Sequence, residues 1–350
     1  MILQLQDDDM NKHLPWHFYA YLSDSDIIHG TYSGPTFKNH ILGKSIEISA
    51  LPRRGKLDQY FCVLLFLIKF VFKRHHIRHV IVYDDIIKLL LCWVFFPQKK
   101  LILRITHLKW RERFASCAMC SGLYEWMFKF ILRRKIKKVM MSSAMKAHFD
   151  APSYQNLYVV ESCIQKIHSE KPKRTPAVVY AGTVSKSRYI MNLLHETANI
   201  CKEASVKFVI FAIGEAAEIE AIEMKLRGFN VKIYKNLSDD EYQRELGLYR
   251  GIGLSPYFVK DNPVLEFNSP LKTLDYLSRN FKVLGSEISA HRDLARLMGG
   301  QMLTLFRNEN FALVLKRELK FIDTKVDCTA LLQHRGQEYC QSAWKSVLND

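Results

Sequence analysis

No apolar run in this 350-residue chain is long enough to span a bilayer. The two most apolar stretches, Phe61 to Phe72 and Ile86 to Pro97, are broken by Lys69 and Lys88. Each is about a dozen residues, against the ~20 that a spanning helix needs. A secretory signal is also missing: the N-terminus is polar and carries Asp7-Asp8-Asp9. The eight cysteines fall into no paired framework, so a reducing cytoplasm is the expected compartment. Cys117-Ala-Met-Cys120 has no second pair and no nearby His-x-His, which argues against zinc and for small apolar residues. No solenoid repeat is present. No G-x-G-x-x-G follows the first strand, which disfavours sugar-nucleotide enzymes of the Rossmann type. No RRM, zinc-finger or helix-turn-helix pattern is found, so no nucleic-acid partner is expected from motifs.

What the chain has is charge and alternation. The formal net charge is +16, and it is uneven: residues 1–168 carry +12 and residues 169–350 carry +4. A first half this basic suggests an anionic partner, whether nucleic acid, an acidic membrane surface or a charged acceptor. The cations concentrate in Lys73-Arg-His-His-Ile-Arg-His79 and Arg133-Arg-Lys-Ile-Lys-Lys138, each beside an apolar helix. Docking on an anionic cytoplasmic leaflet is the expectation, with an ordinary solvated face as the alternative.

From His79 onward, buried strands alternate with helices, which predicts parallel sheets with helices on both faces. Strands are expected at 79–83, 101–106, 139–142 and 157–160, with helices at 86–96, 121–134 and 143–149. A Lys-rich segment bounded by Pro172 and Pro176 reads as a linker. A second series follows, with strands at 177–180, 207–213, 231–234, 252–255, 281–284 and 302–306. The chain divides into a first domain at 1–165, a linker at 166–176, a second domain at 177–328 and a final helix at 329–350 containing Trp344. Length supports two separate cores.

The second half is organised around Val264 to Gly285, which reads as loop, helix and strand. Asn268-Ser269-Pro270 is a helix-start signal, Leu271, Leu274 and Leu277 recur at helical spacing, and Asn280 closes the helix. Unpaired backbone N–H groups at such an N-terminus favour a phosphate, and Lys272 stands in the first turn. Asp275 comes one turn later, placed to accept from ribose hydroxyls. Taken alone this is an ordinary capped helix with a surface Lys and Asp.

With its surroundings, the stretch resembles the nucleotide-sugar segment of group 1 GT-B glycosyltransferases, in the subgroup with Ser-Pro-Leu-Lys, here Ser269 to Lys272. The fold this implies is α/β, with two Rossmann-like domains and a cleft between them. In the family, Glu-x7-Glu leads into the helix; Asp275 stands at the second Glu, Phe267 at the first, and Glu266 one residue away. Val178 to Thr183 is similar to the family's first nucleotide-domain strand, whose Gly, here Gly182, lies near the donor phosphates. Thr183 occupies the usual Arg place, leaving Lys186 and Arg188 as the loop cations. Phe208 to Glu215, with Gly214, resembles the next strand. Ile105-Thr106-His107 resembles the first-domain strand that ends in His facing the cleft.

The resemblance implies glycosyl transfer from a nucleotide sugar to a glycan or lipid-linked acceptor in bacterial surface polysaccharide or lipopolysaccharide assembly. Retention of configuration is implied; an inverting base, with Asp84 and Glu112 as candidates, is the other possibility. The catalytic set is His107, Arg188 and Lys272. The donor set is Gly182, Thr183, Lys186, Gly214, Asn268, Ser269, Pro270, Leu271 and Asp275. No cofactor and no essential metal are expected, since cations and aligned N–H groups suffice to stabilise a leaving diphosphate. A degenerate GT-B protein that binds without turnover, and a basic nucleic-acid-binding protein, remain as alternatives.

Overall fold

The computed structural model describes residues 2–6, 27–31, 60, 63–64, 67–68, 72, 75–106, 117–164, 174–184, 190–259, 263–267, 270–298, 302–324 and 327–349. Lys73 and Arg74, the first two residues of the basic cluster at 73–79, lie outside them. The chain forms two compact units: Met1–Ser162 with Gln337–Asp350, and Cys163–Gly336.

The first unit is a six-stranded sheet in the order β2-β1-β3-β4-β5-β6, parallel throughout. Its strands are β1 (Ile2–Gln6), β2 (Ile27–Thr31), β3 (His79–Tyr83), β4 (Leu101–Ile105), β5 (Lys137–Met140) and β6 (Leu157–Val159). Every residue of β4 and β5 is buried, as a parallel sheet covered on both faces requires. Among the described residues, the connections include α1 (Ile86–Phe95), α2 (Ala118–Leu132) and α3 (Ser143–His148). Asp85 starts α1 by accepting from the N–H groups of Ile87 and Lys88, and Ser142 starts α3 by accepting from Met145. Cys117 caps α2 through its sulfur, so α2 begins three residues before its sequence-based position.

The basic run at 133–138 divides in a way its charge did not suggest. Arg133, Arg134 and Lys135 are exposed, but Lys137 and Lys138 lie inside β5. The strand therefore starts two residues earlier than expected. Lys138 donates to the carbonyls of Arg134 (2.5 Å) and Gln155 (2.8 Å), and burial lowers its pKa to about 8. Lys137 donates to the carbonyl of Val347 (2.6 Å). An expected docking cluster thus turns two of its five cations to backbone oxygens of its own unit.

The second unit has the sheet β12-β11-β10-β7-β8-β9, also parallel. The strands are β7 (Thr175–Thr183), β8 (Lys207–Ile213), β9 (Val231–Lys235), β10 (Tyr249–Ser255), β11 (Lys282–Ser286) and β12 (Leu303–Phe306). Counted from β7 this is the 3-2-1-4-5-6 order of a doubly wound nucleotide-binding sheet. Thr175 and Pro176, expected in the linker, already pair with β10. Alternation along β7 sends Val178 and Tyr180 to a core with α4 (Ile190–Glu203), α5 (Ala216–Lys225) and α9 (Phe311–Leu319). Ala177, Val179 and Ala181 face the other core, with α6 (Asp239–Leu246), α7 (Leu271–Leu277) and α8 (Ser289–Leu297).

The final segment is two helices rather than one. α10 (Ala330–Arg335) ends at Gly336, whose N–H closes on Leu332, and α11 (Gln337–Asn349) belongs to the first unit. Trp344 and Val347 of α11 are fully buried there, and Arg104 of β4 lies over the Trp344 ring at 5.1 Å. Lys137 meets the carbonyl end of α11, where the helix dipole is negative. Trp344→Ala is expected to destabilise the first unit by about 3–5 kcal/mol, the cost of emptying a large aromatic site. Urea unfolding followed by circular dichroism measures this, and an unchanged midpoint would contradict the assigned packing.

Candidate functional site

In a sheet of this order the ligand position is the strand-order reversal, at the carboxyl ends of the two strands flanking it. Here those strands are β7 and β10, ending at Thr183 and Ser255. The helix that lies against them is α7, and two glycines set how closely it approaches.

At Gly253, an added Cβ would stand 2.4 Å from the Tyr276 ring. The absence of a side chain lets Tyr276 lie flat on β10 while its hydroxyl accepts the Ala181 N–H of β7 at 2.7 Å. Tyr276 therefore ties α7 to both strands at the reversal. It is fully buried, which raises its phenol pKa well above the ordinary value and keeps it neutral.

At Gly182 the backbone has φ +149°, and an added Cβ would stand 2.8 Å from the Lys272 Nζ. Lys272 precedes Tyr276 by four residues, one helical turn. Its ammonium passes over the side-chain-free end of β7 and reaches the Tyr180 ring, 4.6 Å from the centroid. Tyr180 is fixed in turn by donating to the Thr183 carbonyl at 2.9 Å. A cation is thus held at the strand reversal on an aromatic face.

Below Lys272, Thr273 is fully buried. Its hydroxyl lies 2.9 Å from Ser255 Oγ and 2.8 Å from His291 Nε2. His291 Nδ1 donates to the Ser286 carbonyl (2.7 Å), because a carbonyl can only accept. Burial, opposed by that hydrogen bond and assisted by the Lys272 charge, lowers the His291 pKa to about 4. The ring is neutral at physiological pH, and its Nε2 accepts the Thr273 proton.

Asp275 faces elsewhere. Its Oδ2 accepts from Tyr242 at 2.6 Å and its Oδ1 lies 3.4 Å from Arg279 Nε, in an i,i+4 ion pair with a buried guanidinium. Burial first, and the Asp275 charge second, raise the Tyr242 pKa well above its usual value. Part of the carboxylate remains open to solvent.

Among the predicted residues, Gly182, Thr183, Lys272 and Asp275 sit on β7 and α7, and Lys272 and Gly182 are in direct apposition. Gly214 is one strand away at the end of β8. Both of its backbone groups are held by the Asn236 side chain, at 3.1 and 3.0 Å. Pro270 takes the position before α7 instead of its first turn, and Leu271 opens the helix. His107, Lys186, Arg188, Asn268 and Ser269 lie outside the described residues.

Glu266, one residue from the family's first Glu position, is engaged with α8. Its Oε1 accepts the Ser289 N–H (2.8 Å) and hydroxyl and pairs with Arg292 (3.0 Å). It serves as the missing cap of α8, whose own N-cap residue, Ile288, has no side-chain acceptor. In the first unit, Asp84 ends β3 with φ +51° and accepts from the Thr106 N–H (2.5 Å) and hydroxyl. Glu112 lies outside the described residues. No group of three or more His, Cys, Asp and Glu side chains among the described residues is arranged to hold a metal.

Sequence reasoning passed over Tyr276, Thr273, His291, Ser255 and Tyr180. Tyr276 carried a signal, being four residues from Lys272. The other contacts cross between strands and helices far apart in sequence.

No family model and no curated protein matches the sequence. Solved structures do match in fold. A sucrose-phosphate synthase from Thermosynechococcus elongatus aligns at a TM-score of 0.65 and 11% identity, over 99% of this chain and 96% of that one. The lipopolysaccharide outer core galactosyltransferase WaaB aligns at 0.62 and 13%, over 100% and 99%. TarM aligns at 0.59 and 15%, over 89% of this chain but only 60% of its own length. The fold is that of these two-domain proteins, GT-B.

Gly253→Ala is expected to lower stability by about 1–3 kcal/mol or more, since the Tyr276 ring is wedged between strand and helix and has nowhere to retreat. Thermal unfolding reads it, and a neutral result would mean that α7 stands off further than described. A pH effect follows from His291. Its folded pKa is below the unfolded value, so the unfolded chain binds more protons between about pH 6.5 and 4. Stability is expected to fall as pH drops through that window, with a shallower slope in His291→Gln.

Proposed function

We propose that this chain transfers a sugar from a nucleotide-sugar donor to a glycan or lipid-linked acceptor. The observation that carries the reading is the Lys272 ammonium held over Gly182 at the strand reversal of the second unit. In this reaction the bond from the anomeric carbon to the β-phosphate oxygen breaks, and the acceptor hydroxyl forms the new bond and releases its proton. Negative charge grows on the departing diphosphate, and a preplaced cation stabilises it. Lys272 supplies that cation, with Arg188 and Lys186, which follow β7 in sequence, as partners. Gly182, Thr183 and the backbone of Asn268, Ser269, Pro270 and Leu271 admit the phosphates. The open edge of Asp275 takes a ribose hydroxyl. His107 belongs to the acceptor side, and Gly214 to the wall beyond β7.

The fold likeness supports the donor class. S. aureus TarM has been solved with UDP, and WaaB is described as a galactosyltransferase. By that analogy of fold we assign retention of configuration, no resident metal or cofactor, and a role in bacterial surface polysaccharide or lipopolysaccharide assembly. The protein would act on the inner face of the cytoplasmic membrane. A second reading, donor binding without turnover, has its own observation: Phe267 brings no carboxylate, and Glu266 is committed to α8.

A panel of nucleotide sugars tests this by slow hydrolysis and by thermal stabilisation. One donor is expected to be hydrolysed selectively, with Lys272→Ala lowering the rate about 100-fold or more, the usual scale for losing one charge-stabilising group. Asp275→Asn is expected to raise the donor KM more than it lowers kcat. Stabilisation without hydrolysis would select the binding-only reading. No effect of any donor on a folded protein would refute both.

A further inference from the structure

Helix α2 of the first unit carries two apolar faces. Tyr124, Phe128, Ile131 and Leu132 are buried in the unit. Met119, Leu123, Trp126 and Phe130 form a second stripe, spaced at i, i+4, i+7 and i+11. At about 100° per residue these four lie within roughly 60° of one another, on the side opposite the buried set. Met119 is 82% exposed, Leu123 58% and Trp126 63%. A helix of a lone globular unit needs only one such face.

The stripe continues onto α1. Trp126 stacks on Phe130 (6.0 Å between centroids), and Phe130 meets Trp93 of α1 at 6.1 Å. Val94, beside Trp93, is 77% exposed. At this end the stripe turns cationic. Arg134 lies over the Phe130 ring at 4.1 Å and the Trp93 ring at 6.0 Å, with Arg133 and Lys135 exposed on either side. On the helix itself, Glu125 is paired with Lys129 (3.7 Å).

We propose that this stripe is a bilayer-docking surface, with α2 lying in the plane of an anionic membrane. Met119, Leu123 and Trp126 enter the boundary between headgroups and acyl chains, and Arg133, Arg134 and Lys135 engage the lipid phosphates. The charge decides the occupant. A second copy of this chain would present the same apolar and cationic stripe, whose one acidic side chain, Glu125, is already paired with Lys129, whereas an anionic leaflet complements the cations. Aromatic rings flanked by Arg and Lys suit the headgroup depth. No helix among the described residues is long and apolar enough to cross a membrane, so the contact is a shallow one. The inference names the surface for the membrane partner in the reading above. It is tested without donor or acceptor, so either can fail alone.

The full chain is sedimented with vesicles of phosphatidylcholine, alone or with roughly a third phosphatidylglycerol, at physiological salt. Binding is expected only to the anionic vesicles. Leu123→Glu/Trp126→Glu is expected to weaken it more than about tenfold. Arg133→Glu/Lys135→Glu is expected to weaken it about fivefold or more for each residue changed. Should the first variant fail to fold by circular dichroism, Met119→Ser carries the same test, with weakened binding expected. Wild type that ignores anionic vesicles overturns the proposal, as do folded variants that bind as wild type does. A dimer in sedimentation velocity that Leu123→Glu/Trp126→Glu dissolves would assign the face to self-association and overturn it as well.

Discussion

The closeness of α7 to β7 and β10 governs most of what the second unit can do. A helix normally stands off a sheet by the width of the side chains between them. Here Gly253 and Gly182 remove that layer at two points, and Tyr276 and Lys272 fill the openings. One residue of the pair is an aromatic and the other a cation, set one helical turn apart. Tyr276 fixes the depth and register of the helix by holding the Ala181 N–H. Once that is fixed, chain geometry carries the Lys272 ammonium over the strand end, where it meets the Tyr180 ring. The buried Thr273–His291–Ser286 chain then holds α8 and β11 to the same helix.

The fold was largely legible because parallel sheets buried on both faces leave a strong sequence trace. Strands such as Lys207–Ile213 and Leu101–Ile105 are short, continuous apolar runs at regular intervals. The departures share a cause. Lys137 and Lys138 looked like surface charge, but carbonyl oxygens inside the unit accept them, and no local pattern announces a distant acceptor such as Val347. Thr175 and Pro176 looked like linker, since a proline argues against a strand until its partner is known.

The site was legible in part. Lys272 was read from the Ser-Pro-Leu-Lys stretch and Gly182 from the strand Val178 to Thr183, and the two meet. Asp275 was assigned by spacing, with Glu266 one residue off the pattern, and spacing places a carboxylate on a helix or loop but does not say which cation or N–H claims it. Tyr242, Arg279, Ser289 and Arg292 make those claims, all from other elements. Polar groups with many suitable partners are the least predictable from a single sequence, because competition among distant partners settles their role.

The dependence of the first unit on α11 has a consequence for biogenesis. Trp344 and Val347 complete a core whose strands were made at the start of the chain. During synthesis that core must wait while all of Cys163–Gly336 is translated, roughly ten to forty seconds at ordinary elongation rates. Through this interval the second unit, continuous in sequence, is free to form first, reversing the usual N-terminal-first order. The waiting segment is also the more basic one, with +12 of the net charge against +4 for the second half.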